Sequence, residues 1–189
     1  PNILTVGRIL IFPFLVLAFY LPGFYGDLTA LILFLIASFT DFFDGMLARL
    51  LGEESKLGEL LDPIADKIIV AAALILLVMD GTIRSYEVIA AIIILTREIL
   101  VSGLREFLAE GKIKLPVSNL AKLKTVLQMV SIALLLSGET GNKIINFQDY
   151  NAQTIGIVLL WLSAALTLFT GYEYMRKGID HAISEDNKD

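Results

Sequence analysis

The sequence predicts an all-α, polytopic membrane protein with six transmembrane helices and an interfacial lead at the N-terminus. Of its 189 residues, 56% are hydrophobic, and the mean hydropathy is +0.74. This composition is too apolar for a water-soluble domain of the same length. Long apolar stretches separated by turn residues indicate membrane spans, and helices satisfy their own backbone groups in lipid. We expect one membrane domain that covers residues 1–189.

Each predicted helix is bounded by a turn or loop signal and can cross a hydrocarbon core of about 30 Å. Pro22-Gly23 ends the first helix, and Asp80-Gly81 ends the third. The polar stretch 138–151 is expected to be a loop, and residues 1–8 fit either an amphipathic interfacial helix or a frayed start. The predicted spans are residues 7–22, 27–50, 57–79, 85–109, 117–137 and 152–176.

The basic residues predict the orientation of these spans. Six spans place both termini on one side, and thirteen of the fifteen Lys and Arg residues lie on that side or in the helix halves nearest to it. Only Arg84 and Lys143 lie on the other side. Cytoplasmic loops are enriched in Lys and Arg, so we expect both termini and the 50–57 loop to face the cytosol. The expected location is the inner (cytoplasmic) cell membrane, and no nucleic-acid partner is expected.

The last predicted helix carries residues that we interpret as structural. Small residues give it a face suited to close helix packing: Gly156, Ser163, Ala164 and Ala165. Three aromatic residues are interpreted as lipid-facing or interfacial: Trp161, Tyr172 and Tyr174.

Four aspartates stand at the cytosolic ends of the second and third predicted helices. Asp41 and Asp44 are three residues apart, and Asp62 and Asp66 are four apart, so each pair shares a helix face. The short loop between these helices makes them antiparallel neighbours, which allows both pairs to face one cavity. Each carboxylate in a bilayer costs at least about 2.5 kcal/mol on insertion scales. Two Mg²⁺ or Mn²⁺ ions would compensate four such groups, as in two-metal phosphoryl chemistry.

Small residues and one arginine accompany the aspartates. Gly45 and Gly58 lie on the aspartate faces of their helices and would let a nucleotide approach the backbone. The alternative is that they only allow the two helices to pack closely. Ala48 is small on the same side. Arg49 is suited to bind a phosphate, and the alternative is a side chain that snorkels from a helix end.

The pattern Asp41-x-x-Asp44-Gly45-x-x-Ala48-Arg49, eight residues, Gly58-x-x-x-Asp62-x-x-x-Asp66 resembles the signature of the CDP-alcohol phosphotransferases. The resemblance implies a homodimeric membrane enzyme that moves a phosphatidyl group from CDP-diacylglycerol to an alcohol and releases CMP. It implies metal ligation by Asp41, Asp44 and Asp62. Asp66 would be the base that takes the alcohol proton, and it could also contact a metal. Four residues would shape the CDP site: Gly45, Ala48, Arg49 and Gly58.

A basic cluster indicates which alcohol is accepted. Arg97 and Arg105 lie eight residues apart on nearly one face of the fourth predicted helix, and Lys122 and Lys124 begin the fifth. An uncharged alcohol would not need these cations, whereas a phosphorylated one would. The alternative for such residues is contact with lipid headgroups.

Three segments resemble the bacterial phosphatidylglycerophosphate synthases in particular: residues 2–8, 96–105 and 122–125. This resemblance implies sn-glycerol 3-phosphate as the acceptor, with its phosphate among the four cations. Relatives that use inositol phosphate, phosphatidylglycerol or serine remain alternatives. Outside the class, the acidic helices could form a cation transporter, but the aspartates all lie on one side of the membrane, and no matching polar path continues through the other half.

Overall fold

The computed structural model describes the backbone of residues 2–51, 56–110, 118–144 and 151–186. It describes side chains within residues 7–40, 64–65, 67–108, 118–143, 151–176 and 178–179. The described residues form α-helices and contain no β-strand, as the sequence predicts. The helices are α1 Asn2–Ala18, α2 Gly23–Leu51, α3 Lys56–Met79, α4 Glu87–Glu110, α5 Asn119–Leu136, α6 Gly138–Ile144 and α7 Ala152–Asp186.

Three stretches among the described residues are long and apolar enough to cross a membrane: Gly23–Thr40, Asn119–Leu136 and Ala152–Arg176. Shorter apolar helical stretches cover Gly7–Ala18 and Lys67–Met79. Large apolar side chains such as Phe14, Ile75 and Phe169 lie exposed on the outside of the bundle. A helical protein with this surface is a membrane protein, because lipid replaces the water that would otherwise contact these side chains.

The first helix differs from its predicted bounds at both ends. It begins at Asn2, so the predicted lead is helical from there, and no break separates it from the first apolar stretch. It ends at Ala18 instead of residue 22 because the amides of residues 19–21 bond to carbonyls three residues back, at 3.1–3.2 Å. This tighter turn precedes Pro22, which has no amide hydrogen to continue a helix.

The polar stretch after α5 was predicted to be a loop, and this prediction is wrong for residues 138–144. Gly138 has a φ of +52°, which turns the chain sharply before α6. The carboxylate of Asp27 accepts a hydrogen bond from the backbone amide of Glu139. A Cβ atom on residue 138 would overlap that carboxylate. The short helix is therefore held by a residue of α2.

Two groups of helices share the apolar core. Helix α1 packs against α2 and α3, and α7 packs against α4 and α5. Side chains from most of the helices meet in one cluster that includes Leu15, Phe34, Leu74, Ile94, Ile132 and Leu160. The helices are therefore fixed relative to one another by burial along their central turns.

The small residues of α7 have the packing role that the sequence predicts. Gly156, Ser163 and Ala164 are buried, although Ala165 is exposed. A Cβ atom on Gly156 would lie 2.9 Å from the side chain of Leu135, and Ser131 Oγ donates a hydrogen bond to the Gly156 carbonyl at 2.7 Å. Close approach of α5 and α7 follows from these contacts.

Candidate functional site

The eight signature residues lie at the C-terminal end of α2 and at the N-terminal end of α3. Asp41, Asp44, Gly45, Ala48 and Arg49 belong to the last turns of α2. Gly58, Asp62 and Asp66 belong to the first turns of α3. The side chains of all eight residues lie outside the described part of the structure. Their assignment as metal ligands, catalytic base and CDP-binding residues therefore stays a prediction.

The helical register of α2 relates its two aspartates to the core. Phe34 and Ala37 are buried, and Asp41 follows them by seven and four residues. Asp44 follows Ala37 by seven residues. Residues separated by four or seven positions occupy one helix face. The two aspartates therefore occupy register positions that continue the buried face of α2.

The helical register of α3 relates its two aspartates to the core in the same way. Ala65, Ile69 and Ala73 are buried. Asp62 precedes Ile69 by seven residues, and Asp66 precedes Ala73 by seven. Helices α2 and α3 also contact each other directly. Both pairs of aspartates thus share the register of core residues on adjoining helices, and carboxylate oxygens are ligands that Mg²⁺ and Mn²⁺ prefer.

Within the described side chains, no group of three or more His, Cys, Asp or Glu residues could hold a metal ion. The four aspartates are not among those side chains.

A buried group of charges connects α4 with α5. The Nζ atom of Lys124 forms an ion pair with Oε1 of Glu98, and Nη1 of Arg97 lies 3.7 Å from the same oxygen. Lys124 is only 3% exposed, and Arg97 is also buried. Charges are retained in such places when they are paired and fixed by further contacts. We refer to Arg97, Glu98 and Lys124 as the Glu98 cluster.

Arg97 also connects α4 to α7. Its Nη2 atom donates a hydrogen bond to Oγ1 of Thr170 at 3.0 Å. The absence of a side chain at Gly171 makes room for it, because a Cβ atom there would lie 3.0 Å from Arg97 Cγ. The guanidinium is therefore held in place by two helices.

Tyr174 is buried and contacts two arginines, which overturns its interpretation as a lipid-facing residue. The centre of its ring is 5.9 Å from Cζ of Arg97 and 5.4 Å from Cζ of Arg105. The residue is 6% exposed, whereas Tyr172 and Trp161 are exposed as predicted. A guanidinium at this distance is attracted to the ring face. The signal for this role was the spacing of Tyr174, which follows Gly171 by three residues and Thr170 by four on the buried face of α7.

The structure brings together three of the four predicted phosphate-binding cations and separates the fourth. Arg97 and Arg105 meet at Tyr174, and Lys124 joins Arg97 through Glu98. Lys122 is exposed on α5. Two residues along a helix differ by about 200° in direction, so Lys122 and Lys124 cannot point to the same side.

A cleft between α3, α4 and α5 lies beside the Glu98 cluster. Its volume is about 80 Å³, and its lining includes Lys67, Val70, Glu98, Thr125, Gln128 and Met129. On α3, Lys67 directly follows Asp66, and Val70 lies one turn after it. The cleft therefore begins within one helical turn of the predicted catalytic base.

Gln128 is a cleft residue that the sequence interpretation did not assign to the site. It is 3% exposed, and its Oε1 atom has no hydrogen-bond partner among the described residues. Its position one turn after Lys124 was the available signal. A buried amide oxygen without a partner is costly, so this atom needs a separate explanation.

Two pairs of aspartates in the sequence of α2 and α3, together with buried basic residues on α4 and α5, form the pattern expected of membrane enzymes that transfer phosphate-linked groups. The chain belongs to the CDP-alcohol phosphatidyltransferase family, whose model matches residues 1–169.

Its similarity to named relatives extends over nearly the whole chain. A Rickettsia felis protein is 42% identical over 176 residues, which are 93% of each chain. A Cereibacter sphaeroides protein is 39% identical over 98% of this chain and 97% of its own. A Yersinia pestis protein is 38% identical over 93% of this chain and 92% of its own. All three are named CDP-diacylglycerol–glycerol-3-phosphate 3-phosphatidyltransferase.

Proposed function

We propose that this protein transfers the phosphatidyl group of CDP-diacylglycerol to sn-glycerol 3-phosphate. The products are phosphatidylglycerophosphate and CMP, and the reaction belongs to phospholipid biosynthesis. Family membership and the names of relatives that match most of the chain support this proposal. The structural observation that carries it is the Glu98 cluster with Arg105. An acceptor without phosphate would give no reason to hold these cations beside the cleft.

The predicted divalent ions fit the donor set of this chain. Two Mg²⁺ or Mn²⁺ ions would be held by Asp41, Asp44, Asp62 and Asp66, whose register positions continue the core faces of α2 and α3. When bound, the ions would reduce the charge on the pyrophosphate oxygens of the substrate. Gly45, Ala48, Arg49 and Gly58 would shape the adjoining CDP site.

The residues of the chain then have defined roles in the transfer. Asp66 accepts the proton of the primary hydroxyl of glycerol 3-phosphate. The hydroxyl oxygen forms a bond to the phosphorus that carries diacylglycerol, while the bond from that phosphorus to the CMP oxygen breaks. Arg97, Arg105 and Lys124 hold the acceptor phosphate and thereby orient the hydroxyl, with Lys122 attracting the anion from the exposed face. Holding the two reactants in line supplies much of the rate.

We further propose a six-span topology in the inner membrane, with both termini and the active site facing the cytosol. The basic residues support this orientation. In this arrangement α1, α3 and α4 cross the membrane together with the three longer apolar stretches. The first turns of α1 lie at the interface, and α6 lies on the outer side. The substrate lipid enters sideways from the bilayer, and the family resemblance supports a homodimer.

An acceptor panel tests the proposed reaction. Purified protein with Mg²⁺ and radiolabelled CDP-diacylglycerol is offered glycerol 3-phosphate, serine, inositol phosphate or phosphatidylglycerol. We expect CMP release and labelled phosphatidylglycerophosphate only with glycerol 3-phosphate. Turnover with a different acceptor would reassign the substrate. Cation flux in liposomes without CMP release would instead support a transporter.

A further inference from the structure

We propose that Gln128 recognises the secondary hydroxyl of the acceptor, with its carboxamide oxygen accepting a hydrogen bond from that group. The inference rests on the proposed function, because it assigns one contact within the same acceptor site. It concerns selection of the three-carbon part of the acceptor, whereas the basic cluster concerns its phosphate.

The first reason is the state of the carboxamide. Gln128 is only 3% exposed, and its Oε1 atom has no hydrogen-bond partner in the described part of the chain. The residue lines the cleft beside Glu98. An amide oxygen accepts hydrogen bonds and does not donate them. A ligand in the cleft that presents a donor at this point would remove the cost of the buried oxygen.

The second reason is that the other polar side chains of the cleft have different roles. The Glu98 carboxylate is engaged by Lys124 and lies near Arg97. Thr125 Oγ1 donates to the Ala121 carbonyl at 3.1 Å. Lys67 carries only donors, so it cannot accept a proton from a hydroxyl. The Thr125 hydroxyl oxygen can still accept a hydrogen bond, but it is exposed, whereas Gln128 Oε1 is a buried neutral acceptor of the lining with no partner among the described residues.

The third reason is the chemistry of the acceptor. Glycerol 3-phosphate has two hydroxyl groups, and the primary one delivers its proton to Asp66 in the proposed reaction. The secondary hydroxyl is the remaining donor. Lys124 and Gln128 are one turn apart on α5, about 6 Å along the helix axis. A small phosphorylated alcohol can extend over this spacing from the cationic cluster to the carboxamide.

A substrate–mutant cycle tests the contact. Rates of CMP release are measured with glycerol 3-phosphate and with 3-hydroxypropyl phosphate, which lacks only the secondary hydroxyl. Wild-type protein is expected to prefer glycerol 3-phosphate by about 10- to 100-fold in kcat/KM, because the analogue leaves Oε1 without a donor. In Gln128→Leu the two acceptors should differ by less than about threefold, since the acceptor oxygen is gone. The KM for CDP-diacylglycerol should stay unchanged.

Two further variants separate recognition from packing. Met129→Leu changes an apolar residue of the same cleft wall and should keep the wild-type preference. Gln128→Glu keeps an acceptor oxygen and should also keep the preference for glycerol 3-phosphate. Its negative charge should weaken the binding of both phosphorylated acceptors. Should Gln128→Leu fail to bind CDP-diacylglycerol, Gln128→Met, which keeps the side-chain length without the amide, takes its place, and retention of the full preference in that variant overturns the inference.

The inference is overturned if wild-type protein uses both acceptors equally, which would mean that water satisfies the carboxamide. It is also overturned if Gln128→Leu keeps the full preference. Neither result affects the proposed function, because both require turnover with glycerol 3-phosphate. Absence of that turnover in wild-type protein would contradict the proposed function itself.

Discussion

Replacing Tyr174 by leucine should selectively weaken binding of the phosphorylated acceptor. The substitution removes a ring whose centre lies 5.9 Å from Cζ of Arg97 and 5.4 Å from Cζ of Arg105. Leucine retains apolar volume but has no aromatic face for a cation. Arg105 would then lose its contact with the ring, and Arg97 would keep only its contacts with Thr170 and Glu98.

The size of the effect can be worked from the two contacts. A cation–π contact contributes about 0.5–1 kcal/mol when exposed and about 2 kcal/mol when desolvated. Arg97 is buried and Arg105 is exposed, so full loss of both amounts to about 2.5–3 kcal/mol. Each 1.4 kcal/mol corresponds to a factor of about ten. If all of this energy is lost from acceptor binding, the KM for glycerol 3-phosphate should rise by about 60- to 140-fold.

The assay measures initial rates of CMP release while each substrate is varied separately. Tyr174→Leu should leave the KM for CDP-diacylglycerol within about twofold of wild type, because uniform misfolding would affect both substrates. Tyr174→Phe keeps both ring faces and should restore acceptor binding. Tyr172→Leu is the matched control, since Tyr172 is 68% exposed on the same helix. Equal effects of the two leucine variants, or a phenylalanine variant as weak as leucine, would refute the positioning role.

Three other substitutions test the remaining parts of the site. Asp66→Asn should keep CDP-diacylglycerol binding and lose turnover by at least about 100-fold, and normal activity would remove Asp66 as the base. Lys122→Ala should raise the KM for glycerol 3-phosphate by about 2- to 5-fold, a small effect because exposed charges are strongly screened. The KM for CDP-diacylglycerol should rise less. An equal change in both KM values would argue against a phosphate role. Gly171→Ala should lower the melting temperature in detergent and weaken acceptor binding, at a cost of about 1 kcal/mol, because the new methyl group presses on Arg97. Gly103→Ala has open space around it and should leave both quantities unchanged or slightly improved, so a similar loss there would point to a general helix effect.

Local sequence rules predicted most of the helical framework. Apolar length and turn residues located the long helices because a helix in lipid depends on its own sequence for backbone hydrogen bonding. The same rules did not predict α6. Its first turn depends on a hydrogen bond between the Glu139 amide and Asp27, a residue far away along the chain. Contacts of this kind follow from tertiary packing and leave no local periodic pattern.

The sequence predicted those parts of the candidate site that are marked by a charged residue within an apolar helix. Cations within apolar helices marked Arg97 and Lys124, and both are buried in the Glu98 cluster. Charge spacing did not distinguish Lys124 from Lys122, because the side that α5 buries is decided by its neighbours. Tyr174 was misassigned for a related reason. An aromatic residue near a membrane surface suits either lipid or a buried cation, and only the position of α4 decides between them.

The aromatic contact at Tyr174 has a consequence for how the site could bind an anion. A carboxylate between Arg97 and Arg105 would hold both side chains, but it would also neutralise part of their charge. A tyrosine ring attracts the two guanidinium groups without adding a negative charge. In the described part of the chain Arg105 has no carboxylate within ion-pair distance. Arg105 therefore keeps its full attraction for a phosphate dianion while the ring contact fixes its direction, whereas Arg97 shares its charge with Glu98. This combination of fixed geometry and retained charge is what tight recognition of a small phosphorylated alcohol requires.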